Sequence, residues 1–312
     1  MKQNTKVIFL GTPDVAAETL RGLIGAGFSI SAIITQPEKP KGRSGQNTPT
    51  PVKKVALQEN IPVYEPTSQQ ELSKILHDLK PDIAIMVAYG MLLSKEMLEI
   101  PRFGFLNIHY SLLPKYRGAA PYVESILNGD KKTGVSIVQT SLGLDEGDII
   151  AQREYLLKGD ETAALLLDKL TELGTQLFIE TYPLVLSGVV EPQEQVGTPS
   201  YSKKITKEAG HIDWKKSAVQ IERMIRAYTP WPGSYSFVKD ARIKILKTDL
   251  TPSREPKMTS DTGIMHFDNG HIFIATGDGS LEILELQPEG KKPMSATAFV
   301  NGNSKLNNSK LT

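Results

Sequence analysis

Residues 6–26, KVIFLGTPDVAAETLRGLIGA, decide the fold class. Lys6 to Leu10 is a short apolar run rich in β-branched residues, Gly11-Thr12-Pro13-Asp14 turns the chain, and a helical pattern follows to about Ala26 with Ala17, Leu20 and Leu23 on one face. Strand, tight turn and helix in that order open an α/β sheet. A dinucleotide-binding turn would carry Gly-x-Gly-x-x-Gly, whereas here one Gly is followed by Thr and Pro. The expected class is therefore a Rossmann-like open sheet lacking the pyrophosphate signature, which argues against a nicotinamide-dependent oxidoreductase.

The pattern continues outward. Strands are expected at Ser31–Thr35, Ile61–Tyr64, Asp82–Ala88, Phe103–His109, Thr133–Thr140 and Asp148–Leu156, with helices at 52–60, 68–79, 119–127 and 162–186. The run 82–88 is continuously apolar, as in a strand buried on both faces, and such strands bind ligands beyond their carboxyl ends. From Ser187 to Thr206 the chain turns to Gly, Pro, Glu, Gln and Ser, which reads as a linker. Beyond it a helix at 217–228 and five short alternating runs, at 234–238, 243–250, 263–267, 271–276 and 281–286, predict a small OB-like β-barrel. The expected domains are residues 1–188, a linker at 189–206 and the barrel at 207–312, with a loosely ordered tail after Asn301.

The 312 residues carry a net charge of +1 and no Cys. That balance excludes a strongly basic nucleic-acid coat but leaves room for a local basic patch. Disulfides, thiolate metal sites and thiol catalysis are absent in one step, and no metal is expected from the scattered His211, His266 and His271. The start of the sequence shows no apolar signal core, so a cytoplasmic protein is expected. Lys39 to Arg43 lie in a long, Pro-rich, basic loop after the second strand, which alone reads as a solvated loop. Trp214 and Trp231 are expected to pack in the core rather than to stack on bases.

The chemistry concentrates in residues 106–147, LNIHYSLLPKYRGAAPYVESILNGDKKTGVSIVQTSLGLDEG. Asn107 and His109 are two apart on a strand and share a face, and Asp145 closes the stretch in a Gly-bounded turn, with Asp148 as the alternative if the turn is shifted. An amide, an imidazole and a carboxylate in one place could stabilise an oxyanion and move a proton, as acyl transfer to an amine requires. Neither Cys nor a Gly-x-Ser-x-Gly elbow is present, so a covalent acyl-enzyme is disfavoured. Taken singly, a sheet-end His, a turn amide and a turn carboxylate each have an ordinary structural reading.

Asn-x-His followed by Ser111-Leu112-Leu113-Pro114, then Tyr116-Arg117-Gly118-Ala119-Ala120-Pro121 and a later Leu-Asp-x-Gly, resembles the folate-dependent formyltransferase family. The likeness runs from Val7–Pro13 to Gln287–Ala296. It implies Asn107, His109 and Asp145 as catalytic residues and Ser111, Leu112, Leu113 and Pro114 beside the folate. It also implies 10-formyltetrahydrofolate as formyl donor and cosubstrate, without a metal, and the α-amino group of methionyl initiator tRNA as acceptor. Arg43, and with it Lys41 and Lys53, would reach the acceptor stem from the basic loop, and the second domain would bind tRNA in a protein expected to be monomeric. A sugar-nucleotide N-formyltransferase is the alternative within the same chemistry, and a non-catalytic RNA-binding protein the alternative outside it.

Overall fold

A computed structural model describes residues 5–40, 47–250 and 261–312. The described chain forms two compact units. The first contains the described residues up to Pro121, with Lys132–Leu156 and Leu167–Ser202; the second contains Tyr122–Lys131, Leu157–Leu166 and the described residues from Lys203 on.

The first unit is built on seven strands: β1 (Val7–Gly11), β2 (Ile30–Ile34), β3 (Val63–Tyr64), β4 (Ile83–Val87), β5 (Phe105–His109), β6 (Lys132–Gln139) and β7 (Ile149–Leu156), in the spatial order β7-β6-β5-β4-β1-β2-β3. The five strands β3, β2, β1, β4 and β5 run parallel; β6 lies antiparallel to β5, and β7 lies antiparallel to β6 and so runs in the direction of the five. Every residue of β1 is buried, as its continuous apolar sequence requires of a strand covered on both faces. The chain winds one way from β1 to β3 and the other way from β4 to β5, so the strand order reverses between β1 and β4. A crevice opens at the carboxyl ends of such a switch point, and β4 and β5 end there in Val87 and His109.

Local signals set the helices. Helix α1 (Asp14–Gly25) buries Ala16, Ala17, Thr19, Leu20 and Leu23. Thr50 caps α2 (Pro51–Gln58) by accepting the Lys53 N–H at 3.1 Å, with Pro51 at the first helical position. Ser68 does the same for α3 (Gln69–Leu79), and α4 (Lys95–Leu98) and α5 (Pro121–Asn128) follow. Helix α6 (Ala163–Leu186) lies close to the sheet through Gly174, where a Cβ would meet Ile108 Cγ2 at 2.8 Å and Val135 Cγ1 at 3.0 Å.

In the second unit the strands β8 (Ser234–Val238), β9 (Ala241–Asp249), β10 (Ile264–Asp268), β11 (His271–Ala275), β12 (Ser280–Pro288), β13 (Met294–Ser295) and β14 (Ser309–Lys310) form one antiparallel sheet. Its path is β8-β9-β12-β11-β10-β14, with β13 beside β12. Phe237 in β8 and Thr312 just beyond β14 exchange two backbone hydrogen bonds, of 2.9 and 3.0 Å, which joins the first strand to the last and closes an OB-like barrel. Helix α7 (Ala218–Ala227), opened by a Ser217–Gln220 capping box, lays Ile221, Met224 and Ile225 into a core with Ile243, Ile272, Leu281, Ile283 and Phe299, the last from α8 (Ala296–Gly302).

Two expectations are corrected here. The tail after Asn301 is ordered: its side chains are mostly polar, but its backbone bonds Gly263, Met265 and Phe237, and Leu311 is buried. Trp214 packs in the core with its Nε1 donating to Ser236 Oγ at 2.9 Å, whereas Trp231, held between two prolines in a turn, is half-exposed. Among the described residues no helix is long and apolar enough to cross a membrane, and no group of three or more His, Asp or Glu side chains could hold a metal.

Candidate active site

Strand β5 carries Asn107 and His109 to the carboxyl edge of the sheet, and the turn between β6 and β7 brings Asp145 to them. Asn107 Nδ2 donates to Asp145 Oδ1 at 3.4 Å, and His109 Nδ1 stands 3.6 Å from Asp145 Oδ2. The same Oδ2 accepts the Gly118 backbone N–H at 2.8 Å, so three groups converge on one carboxylate that is 14% exposed. Asp148, by contrast, faces solvent.

His109 is 5% exposed, and its Nε2 lies 3.0 Å from the Tyr116 carbonyl oxygen. A carbonyl accepts, so the hydrogen bond to Tyr116 O puts a hydrogen on Nε2, and Nδ1 faces the carboxylate oxygen. Both of its nitrogens are turned to protein acceptors, while the Asn107 amide has a second N–H beyond the one aimed at Asp145.

The Ser111–Pro114 run is fixed rather than loose. Ser136 Oγ donates to Ser111 O at 2.7 Å and accepts the Leu113 N–H at 3.1 Å, Gln152 Nε2 donates to Leu113 O at 2.9 Å, and Lys115 N donates to Leu112 O at 3.1 Å. These backbone groups are engaged within the protein. The run instead offers a rigid wall beside His109, with Leu112 and Pro114 partly exposed.

The turn that carries Asp145 is gripped from its other side. Gln195 Nε2 donates to Asp145 O at 2.7 Å and to Gly147 O at 2.8 Å, while its Oε1 accepts from Arg117 Nη2 at 2.8 Å and Nε at 3.1 Å. Arg117 Nη1 also pairs with Glu146 Oε1 at 3.0 Å. Gln195 lies in the stretch read as a linker, and a lone Gln in a polar segment carries no sequence signal of this contact.

Lys41 and Arg43 lie outside the described residues. The backbone on either side of them pairs antiparallel, Lys39 with Thr48 and Pro40 with Asn47. Lys53 is partly exposed and paired: its Nζ meets Glu38 at 2.7 Å and Glu65 at 2.6 Å, and hydrogen bonds to these two carboxylates hold its ammonium above the usual lysine range. At the end of β4, burial pushes the Tyr89 phenol up, so the ring remains a neutral wall of the apolar cluster around Leu72, Leu76 and Met97.

The profile of formyl transferases matches residues 5–182, more than half of the sequence, and that of the formyl transferase C-terminal domain matches residues 204–304. The chain belongs to the formyl transferase family. The methionyl-tRNA formyltransferase of Thermodesulfovibrio yellowstonii is 42% identical over 95% of this chain and 95% of its own. Among solved structures, an N-formyltransferase from Helicobacter canadensis, bound to folinic acid and dTDP-3-aminofucose, superposes with a TM-score of 0.66 at 20% identity over 91% of this chain and 99% of that one. HypX from Aquifex aeolicus in complex with tetrahydrofolic acid gives a TM-score of 0.65 at 15% identity over 97% of this formyl transferase, which spans about half (48%) of the HypX chain. These two likenesses concern the fold alone.

Proposed function

We propose that this formyl transferase moves the formyl group of 10-formyltetrahydrofolate to the α-amino group of methionine esterified to initiator tRNA, in support of translation initiation. The observation that carries this reading is end-to-end similarity, at 42% identity, to a protein named methionyl-tRNA formyltransferase. The Asn107–His109–Asp145 cluster supplies groups suited to the reaction.

The amine attacks in its neutral form, and free α-amino groups titrate at about 7.7–8.0, so little help with deprotonation is needed. Attack on the formyl carbon forms a C–N bond and a tetrahedral oxyanion. Asn107 donates its second N–H to that oxygen. His109, held between the Tyr116 carbonyl and Asp145, orients the carboxylate and, when protonated, places positive charge beside the developing negative one. Asp145 takes the proton of the attacking amine, directly or through water, the bond to folate N10 breaks, and N10 regains a proton. No formyl-enzyme forms along this route.

In this reading residues 1–188 are the catalytic domain, 189–206 the connection and 207–312 the tRNA-binding barrel. Ser111, Leu112, Leu113 and Pro114 flank the folate, Arg43 and Lys41 contact the acceptor stem, and the protein works as a monomer in the cytoplasm. The test is a formyl-transfer assay comparing initiator Met-tRNA, elongator Met-tRNA and an amino-sugar nucleotide. Formylation of the initiator RNA alone is expected. Transfer to the sugar alone would replace the acceptor while keeping the chemistry, and transfer to none would sink the reading.

A further inference from the structure

Residues 193–202 are anchored at one end to β7 and at the other to Tyr116–Gly118, and between the two Gln195 reaches the turn that carries Asp145. Gln193 and Ile149 exchange backbone hydrogen bonds of 2.7 and 2.9 Å, and Ser200 O accepts the Arg117 N–H at 2.8 Å while Ser200 Oγ accepts that of Tyr116 at 2.9 Å. Tyr201–Ser202 pairs in parallel with Arg117–Gly118. Between these anchors Glu194 and Val196 point to solvent and Gln195 turns inward, partly buried.

The Gln195 carboxamide is fully used, with both hydrogens on the Asp145 and Gly147 carbonyls and its oxygen taking two donors from Arg117. It can sit only one way round, because a flipped amide would set its oxygen against two carbonyls and its hydrogens against a guanidinium. Arg117 adds the Glu146 carboxylate and the Tyr201 hydroxyl, the latter at 3.4 Å. Three successive residues of the turn are thereby held at Asp145 O, the Glu146 side chain and Gly147 O. Asp145 itself has a φ of +52°, a left-handed conformation uncommon outside glycine but one that aspartate adopts more readily than most residues.

We propose that Gln195, with Arg117, is a positioning residue for Asp145: it latches the catalytic turn so that the carboxylate faces Asn107 and His109. Its place in the reaction rests on the formyl-transfer reading, but the latch itself does not depend on the acceptor. Releasing it leaves the residues that touch folate and RNA in place and moves the carboxylate, so turnover falls while binding holds.

The test combines steady-state kinetics with hydrogen exchange on the full chain. Gln195→Leu should lower kcat about ten- to a hundredfold, the scale expected for a displaced catalytic group. KM for donor and acceptor should change little, as for a group that acts after binding. Backbone exchange in residues 141–148 should quicken. Gln195→Glu, which sets oxygens against two carbonyls, should do no better than Gln195→Leu, and Arg117→Lys, which keeps the charge but not the two-point grip, should show the same pattern more mildly. Gln193→Ala, whose side chain reaches only the Glu191 carbonyl, should match the wild type. Unchanged kcat in folded Gln195→Leu would overturn the proposal. So would a raised acceptor KM at unchanged kcat, or unaltered exchange at 141–148. Should Gln195→Leu fail to fold, Arg117→Lys decides by the same readouts. If the wild type formylates none of the acceptors, the functional reading falls while exchange still decides the latch.

Discussion

Asp145 Oδ2 accepts the Gly118 N–H at 2.8 Å and stands 3.6 Å from His109 Nδ1, so one carboxylate oxygen joins the backbone of one loop to the ring on β5. Asp145→Asn keeps the shape and an acceptor for Gly118. It removes the charge that faces His109 and the oxygen that meets the Asn107 amide. Expected is a fall in kcat of about a hundred- to ten-thousandfold, the range for loss of a positioned acid-base group, with circular dichroism unchanged. A variant within threefold of the wild type would remove Asp145 from the mechanism.

Asn107 uses one of its amide hydrogens on Asp145, and in the proposed reaction the other meets the oxyanion. Asn107→Ala should lower kcat about a hundred- to a thousandfold, the usual loss on removing one oxyanion donor. Affinity for the charged tRNA should stay near that of the wild type, measured by filter binding with a non-transferable folate analogue. Loss of RNA affinity with kcat intact would make Asn107 a binding residue instead.

The sheet, and the placing of Asn107 and His109 together on it, were legible because they rest on local pattern. Continuous apolar runs such as Ile83–Val87 mark buried strands, and the two-residue spacing of Asn107 and His109 places both on one face. Asp145 needed the family resemblance, since nothing local distinguishes it from Asp148 three residues on. Gln195 and the tail were not legible because their roles lie in long-range hydrogen bonds made by polar groups, which leave no periodicity. Trp231 misled for a related reason: hydrophobic area argues for burial, but Pro230 and Pro232 confine it to an exposed turn.

Lys53 joins Glu38, next to the basic loop, to Glu65 beyond α2, and about a fifth of its side chain is exposed. Lys53→Met leaves two carboxylates without their cation and should cost about 1–3 kcal/mol in urea unfolding, between the values for exposed and buried pairs. The pH dependence has a definite sign. The folded-state pKa is raised above 10.5, so the contribution is fully present below 10.5 and is lost as pH rises through the folded value. The stability gap between wild type and variant should be constant near neutrality and narrow above pH 10.5. A gap that instead widened there would contradict the ion triad.

Gly118 combines two constraints that separate substitutions can distinguish. Its φ of +111° is open to glycine and strained for other residues, and a Cβ there would collide with the Ser202 carbonyl oxygen of the paired strand. Gly27, with a φ of +86°, has open space around its own Cβ position and lies far along the chain from the Asp145 turn. Gly27→Ala should therefore register backbone strain alone, about 1 kcal/mol of stability with kcat unchanged. Gly118→Ala should cost more, about 2–4 kcal/mol, because the backbone must shift as well. That shift carries the Gly118 N–H away from Asp145 Oδ2, so kcat of the folded fraction should fall by about tenfold or more, as for loss of a charge-assisted hydrogen bond. Thermal melts paired with single-turnover rates separate the two effects. If Gly118→Ala lost stability no faster than Gly27→Ala and kept its rate, the pairing of Arg117–Gly118 with Tyr201–Ser202 would have no hold on the Asp145 carboxylate.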